Sequence, residues 1–204
     1  MRKQTKSVKK KNQKATIDKK KIVTLSIIAA VLVVGIVWLC ASLLHTTNTV
    51  VIEVDDFGSI VVELDPEAAP ITVKNFKKLV RRGFYKDSPI HRIVEGFVIQ
   101  GGASATGKEA KEIKGEFKQN GVDNPIKHER GVISMARANA YDSASSQFFI
   151  VLETSEDNSY WLDEKYAAFG KVVEGMDVVD AIAAVKTYQD APLQDIRITR
   201  AYFR

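Results

Sequence analysis

Arg92, Phe97 and Gln100 fall within one short run, His91-Arg92-Ile93-Val94-Glu95-Gly96-Phe97-Val98-Ile99-Gln100-Gly101-Gly102. They bring together a permanent cation, an aromatic face and an amide, a set that reads as a site. Ile93, Val94, Phe97, Val98 and Ile99 are β-branched or aromatic, the composition of a strand, while Gly96 supplies a bend and Gly101-Gly102 a stop. Extended with a break near Gly96, the segment lines one surface with both Arg92 and its far end. His91, beside Arg92, is expected to be structural. His45, His91 and His128 are too far apart for ligand spacing, so no metal and no cofactor is expected. Cys40 is the sole cysteine, which rules out an intrachain disulfide.

The elements that must hold such a segment follow from periodicity. Val50-Val51-Ile52-Glu53-Val54 and Ile60-Val61-Val62-Glu63-Leu64 flank a turn at Asp55 to Gly58 and predict a β-hairpin. Pro70 opens a helix with Val73, Phe76, Leu79 and Val80 on one face and Gly83 as its stop. Short strand-like runs recur at 93–100, 131–136, 147–152, 167–172 and 196–202, with a second amphipathic helix near 176–185. Many short strands with two helices predict a closed antiparallel barrel.

The chain carries a net charge of +5, and its first 21 residues alone carry +9, which leaves the remainder at −4. Ile22 to Leu44 then runs 23 residues without a charge. At ~1.5 Å per residue that is about 35 Å of helix against a hydrocarbon core of ~30 Å. We therefore expect a basic cytoplasmic tail at 1–21, a transmembrane helix at 22–44, a short linker at 45–49 and an extracytoplasmic domain at 50–204. A cleaved signal peptide and a nucleic-acid-binding tail are the weaker alternatives: the apolar run exceeds the ~7 to 15 residues of a typical signal core, and a lysine flank on a spanning helix already serves orientation and contact with anionic lipid.

Five motifs in order point to a family: Asn75-Phe76, the His91 to Gly102 segment, Gly131-Val132-Ile133-Ser134-Met135-Ala136-Arg137, Ser146-Gln147-Phe148-Phe149-Ile150, and Trp161-Leu162-Asp163-Glu164-Lys165-Tyr166-Ala167-Ala168-Phe169-Gly170-Lys171-Val172. From about residue 50 onward the chain resembles a cyclophilin. The resemblance implies an eight-stranded closed antiparallel barrel capped by two α-helices, and peptidyl-prolyl cis-trans isomerase activity. It implies Arg92 as the catalytic donor. Phe97, Val98, Phe149, Leu162 and Tyr166 would form the proline pocket, and Gln100, Ala136, Arg137, Gln147 and Trp161 the flanking groove, with Arg137 contributing mainly through its backbone. Trp161 matches the family residue associated with cyclosporin binding. Proline-containing peptides and unfolded or newly translocated proteins are the expected partners of a monomer. Ile90, Glu95, Val98 and Ala103 depart from the commonest family pattern, and Val98, shorter than the frequent methionine, loosens the proline pocket. A proline-peptide docking module with little turnover is the alternative; Arg92 argues against it, because binding alone needs no donor at the prolyl nitrogen.

Overall fold

Apolar β-branched residues dominate Thr49–Val54 (β1) and Gly58–Leu64 (β2), which pair antiparallel from Thr49 opposite Glu63 to Val54 opposite Gly58. The remaining strands are β3 (Ser88–Val94), β4 (Val98–Gly101), β5 (Val132–Met135), β6 (Phe148–Val151), β7 (Ala167–Glu174), the short pair β8 (Thr187–Tyr188) and β9 (Ala191–Pro192), and β10 (Arg197–Phe203). Eight of them close into a barrel in the order β1-β10-β3-β4-β6-β5-β7-β2, while β8 and β9 form a separate hairpin. The computed structural model describes residues 27, 28, 30–35 and 47–204. Thr47–Arg204 is one compact unit. The basic tail, Cys40 and most of the expected span at 22–44 lie outside the described residues; 27, 28 and 30–35 are helical, and among the described residues no helix is long and apolar enough to cross a membrane.

The helix expected from Pro70 is α1, Pro70–Arg81. Its N-terminus has no cap of its own, since Ala69 has no side-chain acceptor. Buried Glu116 supplies one from a distant loop, accepting from the N–H groups of Ile71 at 3.0 Å and Thr72 at 2.8 Å. Gly83 stands one residue past the C-cap at φ 63°, with its own N–H on the Val80 carbonyl and that of Phe84 on the Leu79 carbonyl, a Schellman closure that needs the left-handed residue. The buried face seats Phe76 among the rings of Tyr85, Phe148 and Phe169, with centroids 5.1–5.8 Å apart.

Two corrections to the sequence reading concern helices and strands. Within Thr47–Arg204 three α-helices are described, not two: besides α1 and Met176–Ala183 (α3) there is Glu156–Lys165 (α2). Its sequence lacks an apolar stripe, because it lies against the outer face of the barrel mainly through Leu162. The second concerns the run from His91 to Gly102, which is a tight hairpin and not one bent strand. Phe97 N–H bonds the Val94 carbonyl across Glu95-Gly96, with Gly96 at φ 64°.

Two layers of apolar packing result. Ile93, Ile99, Ile133, Ile150, Phe148 and Phe169 point into the barrel. Val98, Val132, Phe149, Val151, Leu162 and Ala168 form a second cluster on its outer surface, flanked by Val94, Phe97, Ala136 and Tyr166. Alternate residues of the same strands serve the two layers.

Candidate active site

Which layer Arg92 joins is decided by one extra residue. Between β3 and β4 the register runs Ile90 opposite Gly101, then Arg92 opposite Gln100, so His91 is an unmatched bulge residue. Strict alternation would put Ile90 and Arg92 on the same face, that is, the guanidinium inside the barrel. The bulge reverses the phase: Ile90 and Ile93 join the interior, while Arg92 and Val94 face outward. From there the register continues across the outer surface as one row, Arg92–Gln100–Phe149–Ser134–Ala168, over β3, β4, β6, β5 and β7. Strand neighbours are about 4.8 Å apart, so Arg92 stands roughly 10 Å from Phe149 along this row, with Gln100 between them.

Above the row lies a cavity of about 300 Å³ lined by Arg92, Phe97, Val98, Gln100, Ala136, Arg137, Phe149, Trp161, Leu162 and Tyr166. The structure thus gathers ten of the residues picked out from sequence. Gln147 stands behind them: its side-chain carbonyl accepts from Gln100 Nε2 at 3.1 Å, and its backbone carbonyl accepts from Ala136 N–H. The floor is apolar and aromatic. Phe149 meets Tyr166 edge-on at 5.5 Å, and Trp161, at 45% exposure, tilts over Tyr166 at 5.4 Å. Leu162 is buried, one helical turn from Tyr166. A larger depression of about 620 Å³, lined by Glu63, Asp65, Glu67, Lys127, Glu129 and Lys171 among others, has no aromatic side chain to receive a proline ring.

Arg92 is oriented but not consumed. Its Nη1 is 3.5 Å from Gln100 Oε1 and its Nη2 is 3.5 Å from Asp190 Oδ2, both at the long limit of a hydrogen bond. A guanidinium only donates, so Gln100 must turn its oxygen toward Arg92 and its NH₂ toward Gln147, which fixes the amide. Asp190 was not found from sequence. It sits at the tip of the β8–β9 hairpin, where Gln189 and Asp190 both have positive φ, the requirement of a two-residue type I′ turn that Asn-Gly usually meets. Its carbonyl accepts from Ile93 N–H at 2.7 Å, which docks the hairpin on β3.

A second group that sequence reasoning missed lies beneath the aromatic floor. His128, fully buried and stacked on Phe149 at 6.0 Å, bonds Asp163 through Nδ1 and Ser134 through Nε2, each at 2.8 Å. A carboxylate only accepts, so Nδ1 carries the proton and Nε2 accepts from the serine hydroxyl. Burial holds the His128 imidazole below its ordinary pKa against the opposing pull of Asp163, so the ring is neutral near pH 7. The order Ser-His-Asp resembles that of a nucleophilic triad, but Ser134 is fully buried and out of reach of substrate. The relay is a support. His91 is also shifted down by burial, and among the described residues its buried Nδ1 has no hydrogen-bond partner.

Arg137 lines the cavity with its side chain tied to neighbouring rings and carbonyls. Its guanidinium stacks on Phe117, Tyr141 and Tyr166 at 4.9–5.3 Å, and it donates to the carbonyls of Lys165, Ala138 and Asn139.

Comparison with known proteins supplies the family. The family model for cyclophilin-type peptidyl-prolyl cis-trans isomerases matches residues 49–203. The chain belongs to that family. It is 41% identical over 155 residues to peptidyl-prolyl cis-trans isomerase A of Dickeya dadantii, covering 74% of this chain and 80% of the relative. It is also 41% identical over 157 residues to the isomerase of Acinetobacter baylyi, covering 74% and 83%. A cyclophilin-type isomerase of Cryptosporidium parvum, solved in the presence of the dipeptide Ala-Pro, shares the fold with a TM-score of 0.64 at 26% identity over 76% of this chain and 98% of its own. This cyclophilin is accordingly a peptidyl-prolyl cis-trans isomerase.

Proposed function

We propose that the outer-face groove is where this isomerase turns X-Pro bonds, with Arg92 as the catalytic residue and the ring of Phe97, Val98, Phe149, Leu162 and Tyr166 receiving the proline. The observation that carries this reading is the bulge at His91, which delivers a cation to an apolar cavity that would otherwise hold none at that edge. Rotation about X-Pro faces ~18–20 kcal/mol because amide resonance must break. In the twisted state the prolyl nitrogen regains a lone pair, and a donor aimed there acts on the transition state alone. A charge-assisted hydrogen bond contributes roughly 1.5–3 kcal/mol. A thousandfold acceleration needs ~4 kcal/mol, so the rest comes from the pocket holding the twisted peptide, with Gln100 orienting a substrate carbonyl. No proton is transferred, in keeping with the neutral, buried His128.

The wider role we propose is folding assistance to newly translocated proteins at a membrane surface. Supporting it are the uncharged run at 22–44 and the +9 tail before it, a pattern that the positive-inside rule associates with a cytoplasmic N-terminus and an external domain. Cyclosporin at micromolar concentration is expected to inhibit through Trp161 at the rim. The test is cis-trans exchange of an Ala-Pro peptide, with the full chain present in trace amounts. Accelerated exchange supports the catalytic groove, and binding without acceleration makes it a docking module. Protease cleavage of the domain in intact cells supports the external placement, and full protection contradicts it.

A further inference from the structure

A second cavity of about 350 Å³ adjoins the proline groove and shares Arg137, Trp161 and Tyr166 with it. Gln119, Ala138, Asn139, Tyr141 and Lys165 complete its walls. No acidic side chain lines it, but two cations do. From this geometry we propose that the cavity is a subsite for an acidic side chain of the substrate peptide, close to the proline, and that it gives this isomerase a preference for Pro segments flanked by Asp or Glu. The inference rests on the groove being the peptide site.

The distribution of charge along the groove singles out this end. At the far end, Arg92 and Asp190 face each other and largely cancel. Beside the second cavity, Lys118 and Glu164 pair at 2.5 Å and also cancel. Asp142 is occupied by Gly115 N–H and Asn120 Nδ2, and Asp163 by His128 and Lys127. Arg137 and Lys165 remain, with no carboxylate partner among the described residues, in a domain whose sequence is otherwise net negative.

The two cations are also prepared for an anion. Three rings and three backbone carbonyls fix Arg137, and these bonds use Nε and Nη1; Nη2 has no hydrogen-bond partner among the described residues. A guanidinium already immobilised loses little further freedom when a carboxylate arrives. Lys165 Nζ stands 4.9 Å over the Trp161 ring, held at the mouth shared by both cavities. Tyr141 donates to Gln119 Oε1 at 2.9 Å, which leaves the Gln119 NH₂ as a third donor on the same wall.

The test uses the full chain and blocked peptides with an Ala-Pro core, so that no terminal carboxylate competes. Glu is placed in turn at each position from two before the proline to two after, with Gln as its uncharged match. At about 10 mM salt, where the Debye length is about 30 Å, one position should favour Glu over Gln by about five- to tenfold in kcat/KM, mainly through KM. At about 1 M salt, where that length is about 3 Å, the preference should shrink to under about twofold. Lys165→Gln should lower the preference, and Lys165→Glu should turn it toward a Lys-bearing peptide. Turnover of the Gln peptide by each variant shows that it is folded. Equal kcat/KM for Glu and Gln at every position, or a preference unmoved by Lys165→Glu, overturns the subsite while leaving the isomerase groove standing. Failure to accelerate any peptide overturns the groove and the subsite with it.

Discussion

Phe148 and Phe149 are neighbours in sequence with nearly equal burial, yet they belong to different structures. Phe148 points into the barrel against Phe76 and Tyr85, and Phe149 points out against His128 and Tyr166. The same division separates Ile99 from Gln100 and Ile93 from Arg92. The interior is held by close apolar packing that any well-fitted set of side chains provides. The outer cluster is organised around polar parts of graded firmness: a buried Asp163–His128–Ser134 relay with 2.8 Å bonds below, and a loosely held Arg92 with 3.5 Å contacts above. Firm support beneath and freedom at the donor are what a catalyst needs if its strongest hydrogen bond is to form only in the transition state.

The largest effect is expected from deleting His91. Without the extra residue, either Arg92 turns into the barrel as a buried charge, costing several kcal/mol, or Ile90 leaves the core; loss of the cooperative unfolding transition in circular dichroism is the expected result. Next comes the pair Ile99→Ala and Gln100→Ala. The first should cost ~2–5 kcal/mol in urea denaturation with activity per folded molecule retained. The second should cost under about 1 kcal/mol of stability but lower kcat/KM about tenfold. Similar losses of both quantities in both variants would erase the distinction between the layers.

The relay gives a smaller effect, dependent on pH. His128 has a lower pKa folded than unfolded, so the unfolded chain binds the extra proton first. Its contribution is fully present above the unfolded value of about 6.5 and is lost as pH falls below it toward the lower folded value. Melting temperature should therefore drop as pH goes from about 7 to 5, and His128→Asn should flatten that slope. The smallest effect belongs to Asp190→Asn. Both members of its pair with Arg92 are nearly half exposed, so stability should stay within about 0.5 kcal/mol and kcat/KM within about threefold.

Much of this was legible in the sequence. Alternation in Val50–Leu64 gave the first hairpin, and Pro70 with the spacing of Val73, Phe76, Leu79 and Val80 gave α1. The motifs named ten residues that the structure lines up in one cavity. What escaped was set by tertiary contacts. The α2 helix has no apolar stripe to betray it, and Glu116 caps a helix lying more than forty residues earlier. The bulge at His91 exists only in the register between two strands. Asp190 reaches Arg92 across 98 positions from a turn lacking the usual Asn-Gly signal, and the cage around Arg137 draws on Phe117, Tyr141 and Tyr166 from three separate segments.

The most direct measurement is Ala-Pro exchange by Arg92→Ala in the full chain, followed by magnetisation-exchange NMR, with urea unfolding of the same preparation. Loss of nearly all acceleration, with stability within about 1 kcal/mol of the parent, is the predicted result, because Arg92 stands outside the packed interior. Exchange at the parental rate in the folded variant would contradict Arg92 as the donor that the bulge turns outward.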